Sequence, residues 1–169
     1  MAIYKRRVAR EKVLQTLYAY EISGEPITAV MNQLFEELKD DKESFEFAKK
    51  LVHEVIQHQE ELEEHIRRRV AHWDLERIAV IDKLLLRIGI CELEYFPDIP
   101  PKVTINELIE VAKMFSTEKS GRFINGVLDA ILEELRKDGT LKKSGRGLID
   151  QNLTVEEKRN SRASPRKIT

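Results

Sequence analysis

Between Phe123 and Leu135 the apolar side chains return every three or four residues, as Phe123, Ile124, Val127, Leu128, Ile131, Leu132 and Leu135. That spacing makes a wide stripe on one side of a helix and cannot keep one face of a strand apolar. The same period recurs in Ala9, Val13, Leu14, Leu17 and Tyr18, in Ile27, Val30, Met31, Leu34, Phe35 and Leu38, and in Ile78, Ile81, Leu84, Leu85 and Ile88. No segment sustains a period of two with turn chemistry at its ends, so no sheet is expected. Six or seven helices joined by short links make an all-α bundle.

The punctuation sets the expected boundaries. A first helix runs from about Lys5 to Ile22, closed by Gly24. A second, of about eleven residues, starts at Pro26, and the charged link Lys39-Asp40-Asp41-Lys42 follows. A long helical segment spans Ser44 to about Ala71, and Trp73-Asp74 turns the chain into another helix from Leu75 to about Tyr95. Pro97, Pro100 and Pro101 form a stiff connector. Thr104 and Glu107 then stand at capping-box spacing, with Val103 and Leu108 as a hydrophobic staple. Gly126, inside the last helix, is expected to admit a closely packed backbone. Residues 1–138 thus read as one helical body. Residues 139–169, rich in Gly, Ser and charge, read as a basic disordered tail in which Thr154 caps one short helix.

Composition limits the setting more than the activity. No apolar run approaches the ~18–20 residues of a membrane span, and the basic N-terminus lacks the apolar segment of a secretory signal. A single cysteine, Cys91, rules out an intrachain disulfide framework and fits a reducing, cytoplasmic compartment. The net charge of -1 conceals segregation: residues 1–12 carry +4, residues 139–169 carry +5 and residues 13–138 carry -10. An anionic partner is therefore compatible with the mildly acidic total, although solvated ends explain the pattern as well.

Catalytic chemistry finds no footing. His53 and His58 are five residues apart, not the four that place two zinc ligands on one helix face. His58, His65 and His72 repeat every seven residues, which separates neighbours by roughly 10 Å along a helix, so they read as surface histidines. Cys91 sits on an apolar face, and there is neither a phosphate-binding glycine loop nor a nucleophile elbow. No cofactor, metal or catalytic residue is expected.

Binding is the better candidate. Arg6, Arg7 and Arg10 crowd the first turns of a helix, where cations oppose the macrodipole and the fold gains nothing evident from them. Tyr18 lies two turns on, and Lys113, Lys119 and Arg122 surround Phe123. Guanidinium groups and exposed aromatic faces together suit phosphates and unstacked bases of single-stranded RNA. The alternative is that Tyr18 and Phe123 are ordinary core aromatics.

Three groups of residues carry a family resemblance. They are Arg6-Arg7-x-Ala9-Arg10-Glu11 with Gln15-x-Leu17-Tyr18; Leu86-Arg87-Ile88 with Glu92-Leu93; and Ile99-Pro100-x-Lys102-Val103-x-Ile105-Asn106-Glu107 with Ala112-Lys113-x-Phe115 and Phe123-Ile124-Asn125-Gly126-Val127-Leu128-Asp129. In order and spacing they resemble the bacterial transcription antitermination family NusB over about residues 3–136. The resemblance implies seven helices in two three-helix bundles. It also implies binding of boxA-type single-stranded RNA of ribosomal RNA leaders, together with NusE (ribosomal protein S-ten), within a processive transcription elongation complex. Carried onto matching positions, Arg6, Arg7, Arg10, Tyr18 and Phe123 would form the RNA surface, with Arg122 beside it. Glu76 and Asp82 would fall near the NusE surface. Val8 stands where a third consecutive arginine is common and Pro101 where an aromatic is common, while Lys119 replaces a common acid and would add attraction for RNA. Some members of the family form homodimers that bury the RNA surface.

Overall fold

The computed structural model describes residues 2–70 and 77–149, with side chains from residue 5 onward. Within them the chain forms α1 (Ala2–Ser23), α2 (Ile27–Leu34), a 3-10 turn (Glu36–Leu38), α3 (Lys42–Gln57), α4 (Gln59–Arg69), α5 (Val80–Tyr95), α6 (Pro101–Phe115), α7 (Glu118–Lys137) and a second 3-10 turn (Gly145–Leu148). No strand occurs among the described residues.

The first three helices pack on one another, and α4 to α7 form a second group. The element that joins the groups is α5, which touches α1 and α3 on one side and α4, α6 and α7 on the other. Its sequence accounts for that position. Residues 84 to 93 are all buried, so α5 lacks the polar face of a surface helix. Gly89 lets the second group close: a Cβ built there would lie 2.8 Å from both terminal methyls of Leu128 on α7 and 2.9 Å from Leu108 Cδ1 on α6. Gly126, expected to permit close approach, faces outward, and a Cβ built there would meet no other element within 4 Å.

Other boundaries differ from the sequence expectation for physical reasons. The expected helix from Ser44 to Ala71 is two helices, broken at His58, whose ring stacks on Tyr95 with centroids 4.0 Å apart. The capping box at Thr104 and Glu107 is not formed. Helix α6 begins four residues earlier than that box requires, with Pro101 in its first turn, which needs no backbone donor there. Thr104 and Glu107 are buried and bond to residues of other helices instead, while Val103 remains exposed. Gly24 does close α1, at φ 68°, donating its N–H to the Tyr20 carbonyl.

Residues 139–149, assigned to the tail by composition, are folded against the body. Leu141 packs on the core, and Lys143 donates to the Glu92 and Phe96 carbonyls at 3.1 and 2.8 Å. The Ser144 N–H bonds the Pro97 carbonyl at 2.9 Å. Thr154, and with it the expected short helix, lies outside the described residues, as do His72, Trp73, Asp74 and Glu76.

Candidate nucleic-acid interface

The N-terminal cations, which oppose the macrodipole of their own helix, each meet a carboxylate from elsewhere in the fold. Lys5 pairs with Asp41, Arg6 with Glu43, Arg7 with Glu107, Arg10 with Glu92 and Lys12 with Glu37. These partners come from α3 and the link before it, from α5, from α6 and from the first 3-10 turn. The basic start is thus also a clasp between the two helical groups.

Within the clasp the three arginines differ. Arg10 is 1% exposed, and its Nε and Nη2 donate to Glu92 at 3.0 and 2.7 Å. Burial works against its charge, but Glu92 outweighs that and holds the guanidinium pKa above its ordinary value. Thr104 Oγ1 donates to the same carboxylate at 3.1 Å. Such a group positions helices, and almost none of its surface is left for the RNA contact that the resemblance implies. Arg7 makes a bidentate pair with Glu107, through Nε at 2.7 Å and Nη2 at 3.0 Å. Its side chain keeps 31% of its surface in solvent, and that of Arg6 keeps 30%. Both present an edge to solvent beyond their carboxylates.

Helix α1 runs antiparallel to α5: Arg10 meets Glu92 near the end of α5, while Leu17 and Leu84 line one cavity near its start. Tyr18, 42% exposed, therefore sits at the pole where α5 begins. Phe123, half-buried, lies at the same pole, lining a cavity of about 180 Å³ with Asp82 and Lys119. Its local frame is the start of α7, where Thr117 Oγ1 accepts the Ser120 N–H at 3.1 Å. Lys119 and Arg122 project from that first turn, both exposed. The end where α5 begins thus carries Tyr18 on the α1 side and Phe123 with two cations on the α7 side, while Arg6 and Arg7 stand toward the other end.

Asp82 is not a surface acid. It is 8% exposed and accepts from Ser120 Oγ at 3.1 Å and Ser116 Oγ at 3.5 Å, pinning the α6–α7 turn to α5. Burial raises its pKa, and the serine bonds act in the opposite direction. Its carboxylate is committed to that turn, which leaves it little surface for the partner contact that the resemblance implies.

His58 and His65 are not simple surface groups either. His65 Nε2 lies 2.7 Å from Glu94 Oε1 across the α4–α5 seam, and Tyr95 donates to Glu61 at 2.7 Å beside it. Burial pushes the Cys91 thiol pKa up, which leaves it inert as a nucleophile.

The chain matches the NusB family model over residues 7–133. The chain belongs to the NusB family. It is 45% identical to the transcription antitermination protein NusB of Chloroherpeton thalassium over 88% of its own length and 71% of that protein's. With the NusB of Salinibacter ruber it shares 43% identity over 92% and 98% of the two chains. A solved structure of antitermination factors NusB and NusE in complex with dsRNA superposes with a TM-score of 0.70 at 30% identity, covering 78% of this chain and 98% of that one.

In this NusB-family chain, pattern reading missed two cations. Arg77 lines the aromatic cavity, and Arg146 lines a second cavity beside Arg6. Neither carries a periodic signal, because each lies outside the long helices. No helix among the described residues is long and apolar enough to cross a membrane.

Proposed function

We propose that this chain is a cytoplasmic, non-catalytic transcription antitermination factor that binds single-stranded boxA-type RNA of ribosomal RNA leaders. It would do so together with NusE (ribosomal protein S-ten) in the elongation complex. Family membership supports the antitermination role, and the structural relative that holds NusE and RNA supports both partners. The observation that carries the RNA reading is the group Lys119, Arg122 and Phe123 at the start of α7, on a molecule that also presents Tyr18, Arg6 and Arg7 to solvent. Stacking faces and guanidinium groups are the chemistry that single strands require.

A second reading has its own support. Each described N-terminal cation is ion-paired, and the body is strongly acidic, which suits a basic ribosomal protein without intrinsic RNA preference. RNA binding measured with and without NusE, on boxA and on a scrambled strand, separates the two. The RNA reading expects preference for boxA and a log–log salt slope of roughly -3 if Arg6, Arg7, Lys119 and Arg122 each neutralise a phosphate. Capture of NusE with equal affinity for both strands would favour the scaffold. Charge reversal at Arg6 and Arg7 that leaves boxA affinity intact would overturn the RNA reading.

A further inference from the structure

The seam between α4 and α5 gathers side chains that the RNA reading leaves unused. Glu61 and His65, four residues apart on α4, share a helix face, and Glu94 of α5 meets them across the seam. One oxygen of each carboxylate and one nitrogen of His65 lie within 4.8 Å of one another. His65 Nε2 is 2.7 Å from Glu94 Oε1, an oxygen buried from solvent. The Glu61 and Glu94 carboxylates also approach closely enough to share a proton. Tyr95 donates to Glu61 Oε2 at 2.7 Å, and His58 Nδ1 stands 3.5 Å from the same oxygen. Two residues outside the group therefore set the position of Glu61. Charge argues for a cation here. Glu54, Glu61 and Glu94 are paired with the imidazoles of His58 and His65, while the neighbouring arginines pair with other acids, Arg68 with Glu64 and Arg69 with Glu134. Even with both imidazoles charged, three carboxylates leave the cluster negative.

We infer that Glu61, His65 and Glu94 bind a divalent transition metal, with zinc the ion best suited to one imidazole and two carboxylates. The ion staples α4, an 11-residue helix that buries only Leu62 and Ile66, to α5. At zinc bond lengths of about 2.0–2.2 Å, tetrahedral ligand atoms stand roughly 3.4 Å apart. His65 and Glu94 thus open slightly, and Glu61, whose side chain is 47% exposed, swings inward. The same exposed edge is the way in for the ion, and water takes the fourth position. The ion displaces the proton between His65 and Glu94, so the metal-free seam and the loaded one are held differently. Spacing along α4 alone hides the group, since its third ligand lies 29 residues beyond His65, in another helix.

The test uses the full chain without an affinity tag, stripped with chelator and titrated with zinc chloride by calorimetry at neutral pH. One equivalent should bind. At free zinc a hundred times Kd, the Tm should rise by about 5–10 °C. Glu61→Gln, at the exposed edge of the group, and His65→Gln should each weaken zinc binding at least ten-fold, the loss typical for a supporting residue alone. Circular dichroism checks that the helices persist in both variants. Calcium should not compete, because it takes oxygen ligands and gains nothing from an imidazole. Zinc affinity unchanged in both variants would overturn the inference and leave the RNA reading untouched. So would calcium binding as tightly as zinc, which marks a patch of acids without a nitrogen ligand. A folded, stripped chain that takes up no zinc would overturn it directly.

Discussion

Arg10 and Glu92 illustrate how burial decides what an arginine is for. Two opposite charges, 1% and 0% exposed at their side chains, hold each other 2.7 Å apart between α1 and α5. Removing one leaves the other uncompensated in the interior, so Arg10→Met should cost about 3–5 kcal/mol in urea unfolding. The double variant Arg10→Met, Glu92→Leu should recover most of that loss, because a matched apolar pair carries no desolvation penalty. A small stability change combined with a large loss of RNA affinity would instead make Arg10 a ligand contact. The two glycines give opposite signs in the same measurement. Gly89→Ala pushes against Leu128 and Leu108, and overpacking of this kind costs about 1–3 kcal/mol, offset in part by helix propensity. Gly126→Ala meets nothing, so it should stabilise by up to about 1 kcal/mol. A destabilising Gly126→Ala would show that an interaction beyond simple contact requires glycine there.

Helix existence was legible in the sequence because the apolar period recurs through the segments that form α1, α2, α5 and α7. What periodicity could not show is where a polar residue finds its partner. Thr104 and Glu107 have capping-box spacing, yet their hydrogen bonds go to α5 and α1, across 12 and 100 residues of chain. The break at His58 was equally invisible, since the ring that His58 stacks on lies on α5, 37 residues along the chain. That seam between α4 and α5 also titrates. The hydrogen bond to Glu94 raises the His65 pKa, with burial opposing and the Glu94 and Glu134 charges reinforcing it, while Arg68 lowers it. A folded-state pKa above the unfolded value of about 6.5 means that the folded chain holds the proton more tightly. The resulting stability is complete below about pH 6.5 and is lost as pH rises through the raised value. The stability advantage of the unaltered chain over His65→Gln should therefore be larger at about pH 5.5 than at about pH 8.5 in urea unfolding. A difference that does not change with pH would show that the seam is held by packing alone.

Over the whole molecule, segregated charge has two uses that sequence alone could not separate. The basic start and the acidic body pair internally, so only part of the N-terminal charge remains for an anionic ligand. The candidate site was legible in its aromatics and in Arg6, Arg7, Lys119 and Arg122. The docking of residues 140–149 was not, because it is made through one lysine on helix-end carbonyls and one glycine on a backbone oxygen, neither of which has a sequence period. That docking predicts a stability difference between two truncations. A chain ending at Asp138 loses the Leu141 packing, the two Lys143 bonds and the Ser144 bond, whereas a chain ending at Ile149 keeps them. Hydrogen bonds of this kind contribute about 1 kcal/mol each, and ordering of the segment opposes them, so a net loss of about 2 kcal/mol is expected. For a chain of this size that places the Tm of the shorter protein roughly 4–8 °C below that of the chain ending at Ile149. Because α5 is the helix both groups share, weakening its end should lower the whole transition and not create a separate early one. Equal Tm values for the two truncations would mean that the segment rests on the body without supporting it.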